Sequence, residues 1–233
     1  MTTEAVFLDL DDTLYPYDPC NAAGKRAAFE TFDELGYDLS REAFDDLYMA
    51  ARRETKRELR GTASAHERFL YFKRALQLHA DTHDANEALS LGDAYWHSYI
   101  RAMSPFEGVE ETLRELRDAG LTVAIVTNLT TRIQLEKLAA LGVDEHVDYV
   151  LTSEETGREK PSAIMFTTPL SAFDLRPSEA VMVGDSVVAD VEGGNAAGLE
   201  TVLFNADPDR ELEGYEQPDH RIDAFRELTE VVL

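Results

Sequence analysis

Short apolar runs rich in β-branched residues recur along the chain and constrain its fold more than any other feature. Each run is nearly continuous rather than alternating, as expected of strands that helices cover on both faces. From residue 107 onward the runs alternate with helical segments that stop at a glycine, which indicates a parallel sheet with right-handed crossovers. The predicted strands are Ala5–Leu10, Leu121–Thr127, Val147–Thr152, Ala180–Gly184 and Thr201–Phe204, and the predicted helices are Glu107–Ala119, Thr131–Leu141 and Val188–Ala197.

Residues 19–104 interrupt this pattern. They carry no strand signal and only amphipathic helical stretches. The sequence therefore predicts an α/β fold, in which residues 1–18 and 105–233 form a Rossmann-like parallel-sheet core and residues 19–104 form an inserted all-helical cap domain. The helical stretches predicted in the insert are Cys20–Leu35, Arg41–Arg60, Ala65–Leu78 and Asn86–Ala102.

Charge is distributed unevenly between these two parts. The chain has 22 Lys+Arg and 46 Asp+Glu, a formal net charge of −24. Residues 19–104 carry 14 acidic and 12 basic side chains, and the remainder carries 32 and 10. Such a surface repels nucleic-acid phosphates, so we expect no nucleic-acid partner. An acid excess with only five lysines is typical of proteins in a salt-saturated cytosol, where screening removes self-repulsion; an acidic mesophilic protein is the alternative.

The sequence also bears on location. No apolar run approaches the roughly 20 residues that a membrane helix needs, and the N-terminal segment lacks the basic region of a signal peptide. Cys20 is the single cysteine, which excludes an internal disulfide and fits a reducing compartment. We therefore expect a cytoplasmic protein without a membrane partner, either a monomer or a homodimer.

Acidic residues collect where two predicted strands end. Asp9 and Asp11 share one face at the end of the first strand, at the edge where open α/β sheets bind ligands. Asp185 ends a later strand, and Asp190 follows five residues on. Carboxylates this close repel one another unless a cation or a raised pKa relieves them. If the two strands are neighbours, Asp9 and Asp185 converge on one hard cation, and carboxylates with water suit Mg²⁺.

Two further segments supply groups for an anion. The strand ending at Thr127 is followed by Asn128 and the backbone amides that open a helix, which together form an anion site. Lys160 follows a charged loop and supplies a positive charge to the same anion. Three alternatives stay open: Asp190 as a helix cap, Thr127 as an ordinary β-branched strand residue and Lys160 as a solvated loop charge.

The order of these motifs resembles that of the haloacid dehalogenase superfamily, specifically its phosphatase-like members with a helical cap inserted after the first motif. That family has Asp-x-Asp-x-Thr, a strand ending in Thr or Ser, a Lys, and Gly-Asp with a later Asp. The resemblance covers essentially the whole chain. The matching residues here are Asp9-Leu10-Asp11-Asp12-Thr13, Thr127, Lys160 and Gly184-Asp185 with Asp190.

The resemblance implies a Mg²⁺-dependent phosphatase that hydrolyses a small-molecule phosphomonoester through an aspartyl-phosphate. It implies that Asp9 is the nucleophile, that Asp11 is the general acid and base, and that Lys160 neutralises charge. The implied metal ligands are the Asp9 and Asp185 carboxylates and the Asp11 backbone carbonyl, with Asp190 orienting groups around the metal. The implied phosphate-binding residues are Thr127, Asn128 and Lys160.

Other functions fit the sequence less well. Dehalogenating members of the family lack a second carboxylate at the position of Asp11 and the metal-binding Asp, so phosphomonoester chemistry is favoured. A phosphomutase keeps the same residues and stays open. A non-catalytic acidic binding protein would not explain carboxylates at strand ends beside a threonine and a lysine. The expected partner is a small phosphorylated metabolite, whose identity the sequence does not give.

A cluster of basic residues in the insert is unusual in a chain this acidic. Its members recur at i, i+1, i+4, i+5 and i+8, which predicts one stripe along a single helix. A solvated face paired with acids such as Glu54 and Glu58 is one interpretation, and attraction of anionic substrates is the other. This basic stripe consists of Arg52, Arg53, Lys56, Arg57 and Arg60.

Overall fold

The computed structural model describes residues 2–205 and 211–233. The chain divides into two compact units: a core unit of Met1–Pro16 with Ser104–Leu233, and a cap unit of Tyr17–Met103. All strands of the described residues lie in the core unit, and the cap unit is helical. The first helix begins at Tyr17, before the boundary at residue 19 expected from the sequence.

The core unit contains a six-stranded parallel sheet. Its strand order is β3-β2-β1-β4-β5-β6, which confirms the predicted α/β fold class. The sixth strand was not predicted. It has only three residues, one of them buried, and a strand of this length shows no periodic pattern. The strands are β1 (Ala5–Leu8), β2 (Thr122–Thr127), β3 (Tyr149–Thr152), β4 (Ala180–Gly184), β5 (Glu200–Phe204) and β6 (His220–Ile222).

The strand order determines where ligands bind. The chain runs from β1 through β2 to β3 on one side of the sheet and then crosses to β4 on the other side of β1. In open parallel sheets, ligands bind at the carboxyl ends of the strands where the order reverses, which here is between β1 and β4. Leu8 pairs with Val183 in the register, and the Asp9 N–H donates to the Val183 carbonyl at 2.9 Å. The residues that follow these two strands therefore lie side by side.

The cap unit consists of four helices around an aromatic interior. Its buried rings include Phe32, Phe44, Tyr71 and Tyr95. The second helix ends at Glu58, so Arg60 lies beyond it and the prediction of all five stripe residues on one helix is wrong. The helices are α1 (Tyr17–Glu34), α2 (Arg41–Glu58), α3 (Arg68–Ala80) and α4 (Ala85–Arg101).

Helices of the core unit join and cover the strands. One sheet face packs on α8 through Met165 and Phe166, against Phe7 and Met182. The predicted helix Val188–Ala197 is instead a π-helical turn, Val187–Glu192, followed by a short α-helix. No helix among the described residues has the length and apolar character to span a membrane. The core helices are α5 (Val109–Asp118), α6 (Thr131–Leu141), α7 (Ser153–Thr156), α8 (Ile164–Ala172), α9 (Gly193–Ala197) and α10 (Leu228–Val232).

Candidate active site

Three acidic side chains meet at the carboxyl ends of β1 and β4. One carboxylate oxygen from each of Asp9, Asp185 and Asp190 lies within 4.8 Å of the others. Asp9 directly follows β1 and Asp185 directly follows β4, so the strand order itself brings them together. The side chain of Asp11 is held elsewhere, by contacts described below. The structure therefore groups Asp9 and Asp185 as the sequence predicted and adds Asp190 to them.

Lys160 bridges two of these acids. Its Nζ lies 2.7 Å from Oδ1 of Asp9 and 2.6 Å from Oδ1 of Asp190, and its side chain is buried. Burial acts to lower the pKa of Lys160, but Asp190 and Asp9 outweigh it and hold that pKa above its ordinary value. Lys160 therefore carries a positive charge, and the interpretation of a solvated loop residue is wrong.

The side chain of Asn128 positions the backbone of Lys160. The Lys160 N–H donates to Oδ1 of Asn128 at 2.8 Å, and Nδ2 of Asn128 donates to the Lys160 carbonyl at 3.3 Å. This paired contact ties the loop before α8 to the loop after β2. The sequence assigned only the backbone amide of Asn128 to the site, and that assignment stays a prediction.

Burial and like charge raise the pKa values of two acids in the cluster. Burial is the main cause of the shift at Asp9, and the neighbouring acids add to it. Lys160 acts in the opposite direction, but the net effect raises the pKa of Asp9 to about 7. Burial, together with Asp9 and Asp190, raises the pKa of Asp185 to about 8. Both shifts mean that ionising these carboxylates together is costly unless a cation joins them.

The Asp190 carboxylate accepts hydrogen bonds from two residues of the described part of the chain. Its Oδ1 accepts from Lys160, and its Oδ2 accepts from the Ser186 backbone N–H at 3.0 Å. Ser186, rather than Asp190, caps the π-helical turn, since its Oγ accepts from the Ala189 N–H. A Cβ at Gly184 would collide with the Asp190 carboxyl group. Glycine before Asp185 therefore leaves room for this acid.

Thr127 ends β2 with its side chain fully buried. Its Oγ1 accepts a hydrogen bond from Nε2 of Gln134 at 2.5 Å. The turn after it contains Leu129 at a φ of 141°, a backbone conformation that is strained for a non-glycine residue. The Leu129 N–H donates to Oγ of Ser153 at 3.0 Å. This hydrogen bond to the first residue of α7 helps to hold the conformation of the loop.

Side chains from the loop after β1 and from α6 hold the carboxylate of Asp11. Its Oδ1 accepts from the Tyr15 hydroxyl and lies 2.6 Å from Nζ of Lys137, and its Oδ2 accepts from Nε2 of Gln134 at 3.2 Å. Burial acts to raise the pKa of Asp11, but Lys137 and these hydrogen bonds outweigh it and lower that pKa. The contacts therefore favour the carboxylate form of Asp11.

Sequence reasoning missed Gln134 and Lys137. Both lie on α6, which was predicted as a helix with the bounds it has in the structure. The available signal was their spacing, because two polar residues one turn apart fall among the apolar positions that face the sheet. That signal indicates buried polar groups but does not say which partner they contact.

The donor set fits a hard divalent cation. Asp9, Asp185 and Asp190 offer only oxygen atoms, which are the ligands that Mg²⁺ prefers. Lys160 forms ion pairs with Asp9 and Asp190, whereas Asp185 has neither an ion pair nor a hydrogen bond within residues 2–205 and 211–233. Burial, with the neighbouring acids, raises the pKa values of Asp9 and Asp185, so a bound cation would favour their carboxylate forms.

Comparison with curated proteins finds relatives along nearly the whole chain. The ribulose-1,5-bisphosphate 5-phosphatase of Halopiger xanaduensis is 56% identical over 237 residues, which cover 98% of each chain. The glyceraldehyde 3-phosphate phosphatase of Methanopyrus kandleri is 32% identical over 234 residues, 98% of this chain and 97% of the other.

Solved structures share the fold. A HAD phosphatase from Thermococcus onnurineus superposes with a TM-score of 0.77 at 25% identity, covering 99% of this chain and 98% of the other. A 2-haloacid dehalogenase from Pseudomonas syringae gives a TM-score of 0.78 at 23% identity, covering 100% and 98%, a likeness that shows the fold alone.

A protein-family model also matches most of the chain. The model that describes haloacid dehalogenase-like hydrolases matches residues 3–198, which include every site residue described above. Together with the whole-length relatives, this match confirms the resemblance seen in the sequence motifs. The chain is an enzyme that belongs to the haloacid dehalogenase-like hydrolase family.

Proposed function

We propose that this hydrolase is a Mg²⁺-dependent phosphatase that releases phosphate from a small sugar phosphate through an aspartyl-phosphate. The observation that carries the proposal is the contact of Asp9 with Lys160 beside Asp185 and Asp190. This arrangement provides a nucleophilic carboxylate, a fixed positive charge and acids for a cation at one edge of the sheet. Phosphoryl transfer requires these elements, because it depends on positioning and on stabilising negative charge.

Asp9 acts as the nucleophile. Its carboxylate oxygen forms a bond to phosphorus while the bond from phosphorus to the sugar oxygen breaks, and the electron pair leaves with that oxygen. Water then attacks phosphorus, the bond to Asp9 breaks, and phosphate is released with the Asp9 carboxylate restored. Lys160, 2.7 Å from Asp9, offsets the repulsion between this carboxylate and the anionic substrate.

Asp11 transfers the protons of both steps. It donates a proton to the leaving sugar oxygen and then takes a proton from the attacking water. Its contacts with Lys137, Gln134 and Tyr15 favour the ionised form, which is the form that the second step needs. The first step needs Asp11 to carry a proton, which the approach of an anionic substrate favours.

Asp9 and Asp185, with the backbone carbonyl of Asp11, are the residues that would hold Mg²⁺, which supplies positive charge to the phosphoryl group when bound. Asp190 keeps Lys160 and the turn after β4 in place around these residues. The Thr127 hydroxyl, the Asn128 backbone amide and Lys160 hold the phosphoryl oxygens that are not transferred.

The relatives support a sugar phosphate as the substrate. The 56% identical relative is a ribulose-1,5-bisphosphate 5-phosphatase, and the 32% identical relative is a glyceraldehyde 3-phosphate phosphatase. We therefore rank ribulose 1,5-bisphosphate first and glyceraldehyde 3-phosphate second. For an enzyme acting on such metabolites we expect a cytoplasmic monomer or homodimer, without nucleic-acid or membrane partners.

The test is phosphate release from a substrate panel at molar KCl, with Mg²⁺ or with chelator. The panel contains ribulose 1,5-bisphosphate, glyceraldehyde 3-phosphate, a hexose phosphate and an aryl phosphate. We expect Mg²⁺-dependent release that is fastest with the pentose bisphosphate. Turnover unaffected by chelator, or no release from any phosphomonoester, would contradict the proposal. Conversion of a sugar phosphate into its isomer without free phosphate would instead identify a phosphomutase.

A further inference from the structure

Helix α6 buries two polar side chains on the face that packs against the sheet. Gln134 is 0% exposed and Lys137 is 2% exposed, among the apolar residues Ile133, Leu138 and Leu141. A buried lysine is rare unless it is paired, and a buried amide costs stability unless it is hydrogen bonded. The contacts of these two residues therefore indicate why they are there.

Their polar contacts converge on the proposed catalytic groups. Nζ of Lys137 lies 2.6 Å from Oδ1 of Asp11. Nε2 of Gln134 donates to Oδ2 of Asp11 at 3.2 Å, to Oγ1 of Thr127 at 2.5 Å and to the Asn128 carbonyl at 3.1 Å. One helix face thus contacts both oxygens of the Asp11 carboxylate, which fixes the direction of that side chain.

The acids of the site contact two different lysines. Lys160 contacts Asp9 and Asp190, whereas Lys137 contacts Asp11. The chain has only five lysines, and these two are the buried ones among them. Because Lys137 and Gln134 hold the carboxylate of Asp11, it stays apart from the cluster of Asp9, Asp185 and Asp190 and is available for proton transfer.

The hydrogen bonds of Gln134 argue against a purely stabilising role. Its buried Oε1 has no hydrogen-bond partner among residues 2–205 and 211–233, whereas the two protons of its Nε2 are shared among three acceptors. An unsatisfied buried oxygen costs stability. Since the Thr127 hydroxyl accepts from Gln134, its own proton is left to donate to another group, and a phosphoryl oxygen is such an acceptor.

We infer that Gln134 and Lys137 are positioning residues that hold the Asp11 carboxylate for proton transfer and the Thr127 hydroxyl for phosphate binding, an inference that rests on the proposed phosphatase function. Neither residue itself gives or takes a proton or bonds to phosphorus in this proposal, so each acts through the group that it holds.

The leaving group provides the test. A sugar oxygen leaves as a strongly basic alkoxide and needs a proton from Asp11, whereas a nitrophenolate leaves without one. For Lys137→Met we expect kcat/KM to fall by about 10- to 100-fold with the sugar phosphate and by much less with p-nitrophenyl phosphate. The measure is kcat/KM, since it reports the step in which the sugar or phenol leaves.

Three further measurements separate positioning from a general loss of structure. Mg²⁺ affinity should be retained in Lys137→Met, because Lys137 forms an ion pair with the side chain of Asp11, whereas the carboxylates proposed to hold Mg²⁺ are those of Asp9 and Asp185. Lys73→Met, which removes an exposed lysine of the cap unit, should leave both substrates unaffected. In an Asp11→Asn background, Lys137→Met should cause little additional loss, because the group it holds is already changed.

Gln134→Leu provides a second variant should Lys137→Met fail to fold. It should raise KM for both substrates through Thr127 and should also lower kcat/KM more for the sugar phosphate than for the aryl phosphate. Equal losses with both substrates in Lys137→Met and Gln134→Leu, or full additivity with Asp11→Asn, would overturn the inference. If the unmodified enzyme hydrolyses neither substrate, the proposed function itself fails, which is a separate outcome.

Discussion

The core unit and the cap unit each bury a cation, and they stabilise it differently. In the core unit, Lys160 contacts the carboxylates of Asp9 and Asp190. In the cap unit, Arg68 is 6% exposed and its hydrogen bonds go to two tyrosine hydroxyls and a backbone carbonyl, with no carboxylate partner in the described part of the chain. Aromatic rings lie 5.1 to 6.0 Å from its Cζ, namely those of Tyr17, Tyr71, Tyr95 and Trp96.

The partners of the two cations distinguish a candidate active site, around Lys160, from a structural contact within the cap unit, around Arg68. Four acids and two lysines lie at the site in the core unit, so the acids outnumber the lysines, and a bound divalent cation would favour the ionised form of all four. The acids are Asp9, Asp11, Asp185 and Asp190, and the lysines are Lys137 and Lys160. Around Arg68, ring faces and hydroxyls stabilise the charge without requiring a further ion. Of these two buried cations, Lys160 therefore lies in a site that favours a further ion, whereas Arg68 does not.

The largest expected effect is on Asp9. Asp9→Asn should lower turnover by more than about 1,000-fold and leave the fold intact, because the amide does not act as a nucleophile. Asp93→Asn, which changes an exposed acid of the cap unit, is the matched control and should retain activity. Appreciable turnover in Asp9→Asn would assign the nucleophile to another residue.

The second effect concerns the metal. Asp185→Ala should weaken Mg²⁺ binding by about 100-fold, and Asp190→Ala by much less, since Asp190 is already paired with Lys160 and Ser186. Titration calorimetry measures both affinities. If the two variants lose equal affinity, Asp190 is itself a metal ligand.

The third prediction concerns Arg68 of the cap unit, where we expect an effect on stability and none on metal binding. Arg68→Ala should lower the free energy of unfolding by about 2–4 kcal/mol, because a packed side chain and its buried hydrogen bonds are lost. Mg²⁺ affinity should not change, since the residues proposed to hold the metal all lie in the core unit. Chemical denaturation and calorimetry on the same variant check both statements. A loss of Mg²⁺ affinity without a loss of stability would contradict the distinction between the units.

The pH dependence of stability follows from the raised pKa values of Asp9 and Asp185, about 7 and about 8. Between their ordinary pKa values and these raised ones, the folded state binds more protons than the unfolded state, so rising pH destabilises the metal-free fold. We expect the Tm of metal-free protein to fall from pH 5.5 to 8.5, and Mg²⁺ to raise Tm more at the higher pH. Asp185→Asn should reduce the fall. A Mg²⁺-induced shift in Tm that is equal at both pH values would contradict this origin.

Salt tests the charge difference between the units. Residues outside 19–104 carry 32 acidic and 10 basic side chains, so lowering KCl should increase repulsion there more than within 19–104. Hydrogen exchange at molar and at low KCl measures protection in each unit separately. We expect protection to fall first in the core unit. Equal loss in both units, or none, would leave the acid excess unexplained by salt.

The sequence predicted helices well where caps mark their ends, as at Thr131–Leu141, whose predicted bounds are those of α6. It predicted less well where local and tertiary preferences compete. The segment after Asp185 reads as one helix, but Asp190 must reach Lys160 and pack on Gly184, and the backbone widens into a π-helical turn there. The strand His220–Ile222 exists because β5 offers an edge to pair with, which no local pattern records.

The sequence alone determined the alternation of strands and helices, the helical insert and the acids at the strand ends, because apolar periodicity and charge are local properties. The structure decided which strands are neighbours, and so placed Asp9 beside Asp185. It also decided the partners of Gln134 and Lys137, which are more than 120 residues from Asp11 along the chain. Contacts over such separations depend on how the whole sheet assembles, since no residue near Asp11 in sequence specifies which helix will pack against it.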